Sequence, residues 1–309
     1  MNVYHGVEKF QFNSKNILTI GTFDGVHLGH RFLLNRVNAL SKKNNGVSTV
    51  VTFDPHPQLV VAHENRGPIK LLSMLDEKIE LLSRFGIENL YIIPFDVQFA
   101  NLSPNEFIQY YLKKSIGLLG VVVGHDHGFG NARKGNITTL FDAFAKNSVW
   151  VEQLGQYTHD DNLISSSVIR KLLLDGKVVH ANEMLGYPYS VKKQVVLGNK
   201  RGRQLGFPTA NLDIANSDKL IPGSGVYAIK CNLQGKAHIG MANIGTRPTF
   251  GDHETSLEVH ILDFDGDIYG KDLGVQFIIK IRNQIKFENP TDLVAQLEKD
   301  KIKVRTILS

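Results

Sequence analysis

The chain has 309 residues, 42% of them hydrophobic, a formal net charge of +5 and a single cysteine, Cys231. That content excludes wholesale disorder and leaves room for two ordinary domains, while one cysteine excludes an internal disulfide and points to a reducing, cytoplasmic setting. The opening MNVYHGVEKF lacks the charged head and apolar core of a signal peptide, runs such as Leu118–Val123 are too short to cross a bilayer, and the mild positive charge suits anionic ligands such as nucleotides without deciding for them.

Up to about residue 185, strand and helix patterns alternate. Apolar or β-branched runs predict strands over Ile17–Phe23, Ser48–Phe53, Asn89–Phe95, Gly120–Gly124 and Ser148–Leu154. Between them, helices are predicted over His30–Lys42, Ser73–Phe85, Ser103–Ile116 and Ile137–Lys146. Ser103-Pro104-Asn105-Glu106 carries an N-cap hydroxyl, a proline at the first position and an acid at the third. In the second helix, charges from Asp76 to Arg84 punctuate an apolar face of Leu75, Ile79, Leu82 and Phe85. This alternation predicts a parallel sheet with helices on both faces, and ligands gathered at the strands' C-terminal ends.

After Leu185-Gly186-Tyr187-Pro188 the pattern changes to short alternating runs with glycine turns: Ser190–Leu197, Gly225–Leu233, Lys236–Asn243, Ser256–Phe264 and Gly274–Ile281. Asn232-Leu233-Gln234-Gly235 and Asp265-Gly266 read as hairpin turns, so a small antiparallel barrel is expected, closed by a helix from about Thr291 to Lys301. Asp263-Phe264-Asp265-Gly266-Asp267 echoes a calcium loop, but the twelfth position is Gly274 where that loop needs a glutamate.

The stretch GTFDGVHLGH, Gly21 to His30, follows the first strand and opens the first helix. It admits three readings: a turn that happens to hold histidines, part of a metal site, or a phosphate site. A helix N-terminus offers unpaired N–H groups to phosphate, the glycines allow close approach, and no third metal ligand is evident nearby, which favours phosphate. Three further stretches fall at strand ends: Thr52-Phe53-Asp54-Pro55-His56-Pro57, the run Gly124 to Gly135 with Asp126 and His127, and Ile164 to Arg170 with Ser165, Ser166 and Ser167. In the second half, Gly198 to Asn211 is a glycine-rich basic turn running into Phe207-Pro208-Thr209-Ala210-Asn211, where a hydroxyl and an amide two residues apart suit phosphates and Mg²⁺. It lacks the ending of a Walker A loop. Glu258 is an acid inside an otherwise apolar strand run.

The H-x-G-H pattern resembles the nucleotidyltransferase superfamily. With the other stretches, and with P-T-A-N, Asn243-Ile244-Gly245-Thr246-Arg247, Leu257-Glu258-Val259-His260 and Ile281-Arg282, nearly the whole chain resembles the bacterial bifunctional riboflavin kinase/FAD synthetase family. The resemblance implies a Rossmann-like α/β nucleotidyltransferase domain over residues 1–186, then an antiparallel β-barrel riboflavin kinase domain with a C-terminal helix over 187–309. It implies that riboflavin is phosphorylated by ATP to FMN, and FMN adenylylated by a second ATP to FAD and pyrophosphate. His27 and His30 would stabilise charge, with Gly21, Phe23, Asp24, Gly29, Asp54, His56, Asp126, Ser165, Ser166 and Arg170 around ATP and FMN. In the kinase, Glu258 would be the base, Thr209 and Asn211 would hold Mg²⁺, and Gly202, Gly206, Pro208, Asn243, Arg247 and Arg282 would line the substrates. His127 stands where the family has an aromatic and Ser167 where it has threonine. The expected partners are small molecules, with no nucleic acid or membrane, and no oligomeric state is assigned. Alternatives are a riboflavin kinase with an impaired first domain, and a basic nucleotide- or nucleic-acid-binding protein without catalysis.

Overall fold

The computed structural model describes all residues except 62–68, 126–127, 132–133, 147, 160–161, 199–201, 203–204 and 249–252. It divides into two compact units, Met1–Ser166 and Ser167–Ser309.

The first unit begins with strands β1 (Asn2–His5) and β2 (Asn16–Ile20), helix α1 (Leu28–Lys43) and strand β3 (Val47–Asp54). Helices α2 (Pro57–Val60) and α3 (Leu75–Arg84), strand β4 (Asn89–Pro94) and helix α4 (Val97–Ala100) follow. Helix α5 (Pro104–Glu106) runs into a π-helical stretch, Phe107–Ile116, before β5 (Gly120–Val123), α6 (Ile137–Phe144), β6 (Trp150–Gln153) and the short pair β7 (Thr158–His159) and β8 (Asn162–Leu163). Six strands pair in parallel in the order β1-β4-β3-β2-β5-β6. Their apolar runs are buried on both sides, with one cluster around Leu18, Val51, Ile93 and Phe107 and another around Ile17, Val50, Leu90 and Leu34. That double burial is why the strands read as continuous hydrophobic runs rather than alternating ones. From β2 the chain steps outward through β3 and β4, then returns to β5 on the other side of β2. The loop after β2 therefore lies at the topological switch point, where a crevice opens.

The capping box at Ser103 forms as its spacing predicts: the hydroxyl accepts from the Glu106 N–H at 3.2 Å, and the Glu106 carboxylate accepts from the Ser103 N–H at 2.8 Å. The edge strand β1, parallel to β4, carries no strong pattern of its own and is not among the predicted strands.

The second unit opens on α7, whose span Ser166–Leu174 starts at the boundary, and α8 (Val178–Leu185). Strands β9 (Ser190–Val196), β10 (Ala210–Leu212), β11 (Gly225–Leu233), β12 (Lys236–Pro248), β13 (His253–Ile261) and β14 (Asp272–Arg282) close into a barrel in the order β10-β13-β12-β11-β14-β9. Helix α9 (Pro290–Leu308) ends the chain, capped by the Asn289 side chain. Helix α8 is tied to the barrel by Asn182, whose amide donates to the Phe277 carbonyl and accepts from the Tyr189 N–H. Gln234 and Gly235, both left-handed with φ of 52° and 84°, make the predicted tight turn between β11 and β12. Asp265-Gly266 does not make a second one. The segment 262–271 is a broad loop, because Asp263 turns with φ 55°, Ile268 is buried, and Gly270 N–H donates to Val195. Burial pushes the Cys231 thiol up to about 12, so it is inert as well as unpaired in any disulfide.

Candidate active sites

In the first unit, His27 is the N-cap of α1. Its Nδ1 accepts from the His30 N–H at 3.3 Å, satisfying one of the donors that a helix start leaves open. An imidazole that accepts at Nδ1 carries its proton at Nε2, so His27 is fixed as an Nε2 donor. His30 stacks on it with ring centroids 3.7 Å apart, and Phe23 closes in at 5.1 Å. Gly29 is needed for space: a Cβ there would lie 3.2 Å from His27 Nδ1. Burial, then His27, then Lys78 push the His30 pKa well below the usual histidine value. His30 is therefore neutral at physiological pH, and its Nδ1 is buried without a hydrogen-bond partner. A buried polar atom left open in a crevice is equipped to meet a ligand. Among the described residues, no three His, Cys, Asp or Glu side chains converge on a metal position.

Asp24 has a structural task. Its carboxylate, 1% exposed, accepts from the N–H groups of Leu72 and Ser73 at 2.9 Å each. Ser73 in turn accepts from the Gly25 N–H, and the Ser166 hydroxyl donates to the Asp24 carbonyl at 2.9 Å. The loops after β2 and β8 and the approach to α3 are thus laced together beneath the histidines. Asp54 ends β3 ahead of a cis bond to Pro55, and His56 caps α2 by accepting from the Gln58 N–H at 3.1 Å. Gly21 continues the sheet, donating to Val51. Ser165 and Ser166 lie at the end of this unit, while Arg170 sits on α7 in the second. Asp126 and His127 lie outside the described residues.

Lys78 is a site residue the sequence hides. By its charge it reads as one more surface residue, yet it falls on the apolar face of α3, three after Leu75 and four before Leu82, and is only 4% exposed. Its ammonium lies 3.5 Å from Thr52 Oγ1; burial pulls its pKa below the usual lysine value, and the charges of Asp24 and Asp54 act against that pull. Lys78→Met is expected to lose about 3–5 kcal/mol of stability, the usual cost of leaving buried charges unbalanced, measured as a shift of the urea midpoint.

In the second unit, strand register assembles the site. Asn211 on β10 stands opposite Glu258 on β13, and Glu258 stands opposite Asn243 on β12. Directly opposed residues share a face, so the three form a row across neighbouring strands. Val226 continues the row on β11 and faces Arg282 on β14. Thr209, just before β10, and Asn211 both meet the glycine turn. A Cβ on Gly198 would strike the Asn211 amide at 2.0 Å, and one on Gly202 would lie 3.4 Å from the Thr209 hydroxyl. A hydroxyl and an amide packed beside two glycines include the oxygen donors that a hard cation and phosphates take. Gly206 is left-handed, with φ 79°. Arg247 is on β12 opposite Glu254. Arg282 is committed to α9: its guanidinium pairs with the buried Asp300 at 2.7–2.8 Å, and Asp300 also accepts from Gln296.

A pocket of about 640 Å³, including its open mouth, lies at Thr209 and against Val259 and Ile261, on the face of β13 opposite to Glu258. Pro208, Thr209 and Ala210 form one wall, and Phe264, Asp265 and Tyr269 of the 262–271 loop form another. That loop reads in the sequence only as a turn between strands. Its length before Asp272 is the one signal that it does more.

Comparison with known proteins agrees with this division. The FAD synthetase family model matches residues 9–168, and the riboflavin kinase model matches residues 185–308. A protein of Listeria monocytogenes named bifunctional riboflavin kinase/FMN adenylyltransferase is 37% identical over 309 residues, covering 99% of this chain and 97% of that one. One of the same name from Bacillus subtilis is 37% identical over 293 residues, covering 93% and 91%. A crystal structure from Streptococcus pneumoniae, described as a macrolide-efflux protein, is 32% identical with a TM-score of 0.88, covering 97% of this chain and 96% of that one. Among the described residues, no helix here is long and apolar enough to cross a membrane. With both family models matched in order and relatives aligned over nearly their whole length, the chain belongs to the bifunctional riboflavin kinase/FMN adenylyltransferase family.

Proposed function

We infer that the second half phosphorylates riboflavin to FMN and the first half joins FMN to the AMP part of a second ATP. In the first reaction the riboflavin 5′-hydroxyl attacks the γ-phosphorus of ATP, its proton passes to Glu258, and ADP leaves. Phosphoryl transfer is mostly positioning and charge neutralisation, so one base and a bound cation suffice. Thr209 and Asn211 would hold Mg²⁺ with the ATP phosphates, and the cation would supply charge neutralisation there. Asn243, Arg247 and the glycines at 202 and 206 line the same site, with Pro208 setting the entrance to Thr209. Arg282 acts through its anchoring of α9.

In the second reaction an FMN phosphate oxygen attacks the α-phosphorus, and the bond to the departing pyrophosphate breaks. His27 and His30 stabilise the charge that develops there, with Ser165, Ser166 and Arg170 on the phosphates and Asp126 near the nucleotide. Phe23, Gly29, Asp54 and His56 shape the crevice. Because Arg170 serves this second reaction, that of the first half, we place the functional boundary between residues 186 and 187, beyond the point where the compact units divide. ATP and flavins are cytoplasmic metabolites, and we place the enzyme there.

The observation that carries this reading is that each half has its own constellation: a histidine pair over a helix start, and the Asn211–Glu258–Asn243 row beside a glycine turn. A chromatographic time course with riboflavin, ATP and Mg²⁺ tests it. FMN should rise and then give way to FAD. FMN alone would favour a kinase whose first half is altered around His127, and no product would favour a nucleotide-binding protein.

A further inference from the structure

Strand β10 is only three residues long and begins at Ala210. Its register, Ala210 opposite Val259 and Asn211 opposite Glu258, would carry on to Thr209 and Pro208 if the strand continued. It stops because proline has no N–H to give to the ladder. The Pro208 carbonyl is nevertheless taken, by a side chain: His260 Nδ1 lies 2.8 Å from it. A carbonyl only accepts, so His260 carries its hydrogen on Nδ1. The same ring packs on Phe207, centroids 5.2 Å apart, and Phe207 is buried under α9 with the Lys301 ammonium over its face. His260 follows Glu258 by two residues on the same face of β13.

Resting on the kinase reading of the second half, we propose that His260 is a positioning residue for phosphoryl transfer. Its Nδ1–H grips Pro208 where the ladder fails, and so sets Thr209 and Asn211 against Glu258 on the neighbouring strand. One strand thus carries both the base and the clamp on the opposing phosphate ligands. An error of even one ångström between such groups is costly, which gives the clamp its value. The hydrogen bond specifies which replacements work. An asparagine amide reaches the place of Nδ1, whereas a glutamine amide reaches that of Nε2.

The test compares His260→Ala, His260→Asn and His260→Gln in the full chain, following FMN formation from riboflavin, and FAD formation from supplied FMN as an internal control. Alanine and glutamine should lower kcat/KM for ATP in the kinase reaction by about tenfold or more, asparagine by less than about threefold, at equal thermal midpoints. A role in packing alone would not separate asparagine from glutamine in this way. The proposal is overturned if alanine stays within about twofold of the parent, or if asparagine and glutamine are equally impaired. Should the alanine protein not fold, the asparagine–glutamine comparison decides. Two controls separate the premises: if the parent chain makes no FMN, the kinase reading fails rather than the role of His260, and if Glu258→Gln makes FMN at the parent rate, Glu258 is not the base against which the clamp sets its ligands, and the proposal is overturned.

Discussion

Replacing His30 with alanine is expected to cut FAD formation by roughly 10²–10³-fold while FMN formation continues at the parent rate, the loss typical of one preorganised donor at a site of developing charge. The imidazole is buried, held neutral, stacked on His27 and left with an open Nδ1. It gives the resting fold no side-chain hydrogen bond at that atom, so its removal should weaken the reaction more than the fold. Parallel assays with riboflavin and with FMN as the starting flavin separate the two activities. Loss of both in a folded protein would mean that the halves do not divide the labour as proposed.

Glu258→Gln should produce the converse. The amide keeps the shape of the carboxylate but cannot take the riboflavin proton, and a missing general base costs roughly 10²–10⁴-fold in rate. Because Glu258 is fixed by backbone register between Asn211 and Asn243, glutamine will occupy the same place in the row. The deficit should therefore fall on kcat for FMN formation, with ATP binding little changed, and FAD should still form when FMN is supplied. An unaltered kinase rate would remove Glu258 from the mechanism.

Much of this was legible in the sequence because it depends on local chemistry. Five of the six strands of the first sheet, the capping box at Ser103 and the Gln234-Gly235 turn all follow from spacing and turn preference. The histidine pair reads as a phosphate site because glycines and a helix start surround it, and the two rings do meet at the start of α1. What escaped depends on partners distant in sequence. Strand β10 is too short to show a period, and it is defined only by β9 and β13 on either side. Lys78 has the charge of a surface residue but the spacing of the buried face, three after Leu75 and four before Leu82; the carboxylates Asp24 and Asp54 that act on it come from distant segments and could not be read from its helix. Asp24 also clamps a loop 48 residues away, a partner its own segment does not announce. Arg282 likewise finds Asp300 on a helix that its own strand says nothing about.

The cap made by His27 has a consequence for how each reaction handles protons. With Nδ1 occupied by the His30 N–H, the ring cannot take up a proton there without giving up the helix start, so it makes a poor proton relay. In the scheme proposed for the first half none is required. The nucleophile is a phosphate monoester whose second ionisation lies at about 6, so it arrives already charged. The nucleophile in the second half is an alcohol, whose proton has to be received by something, and there a carboxylate is stationed. The two halves differ not only in fold but in their proton inventory: one is furnished with fixed donors for a reaction that moves none, the other with a base for a reaction that must move one.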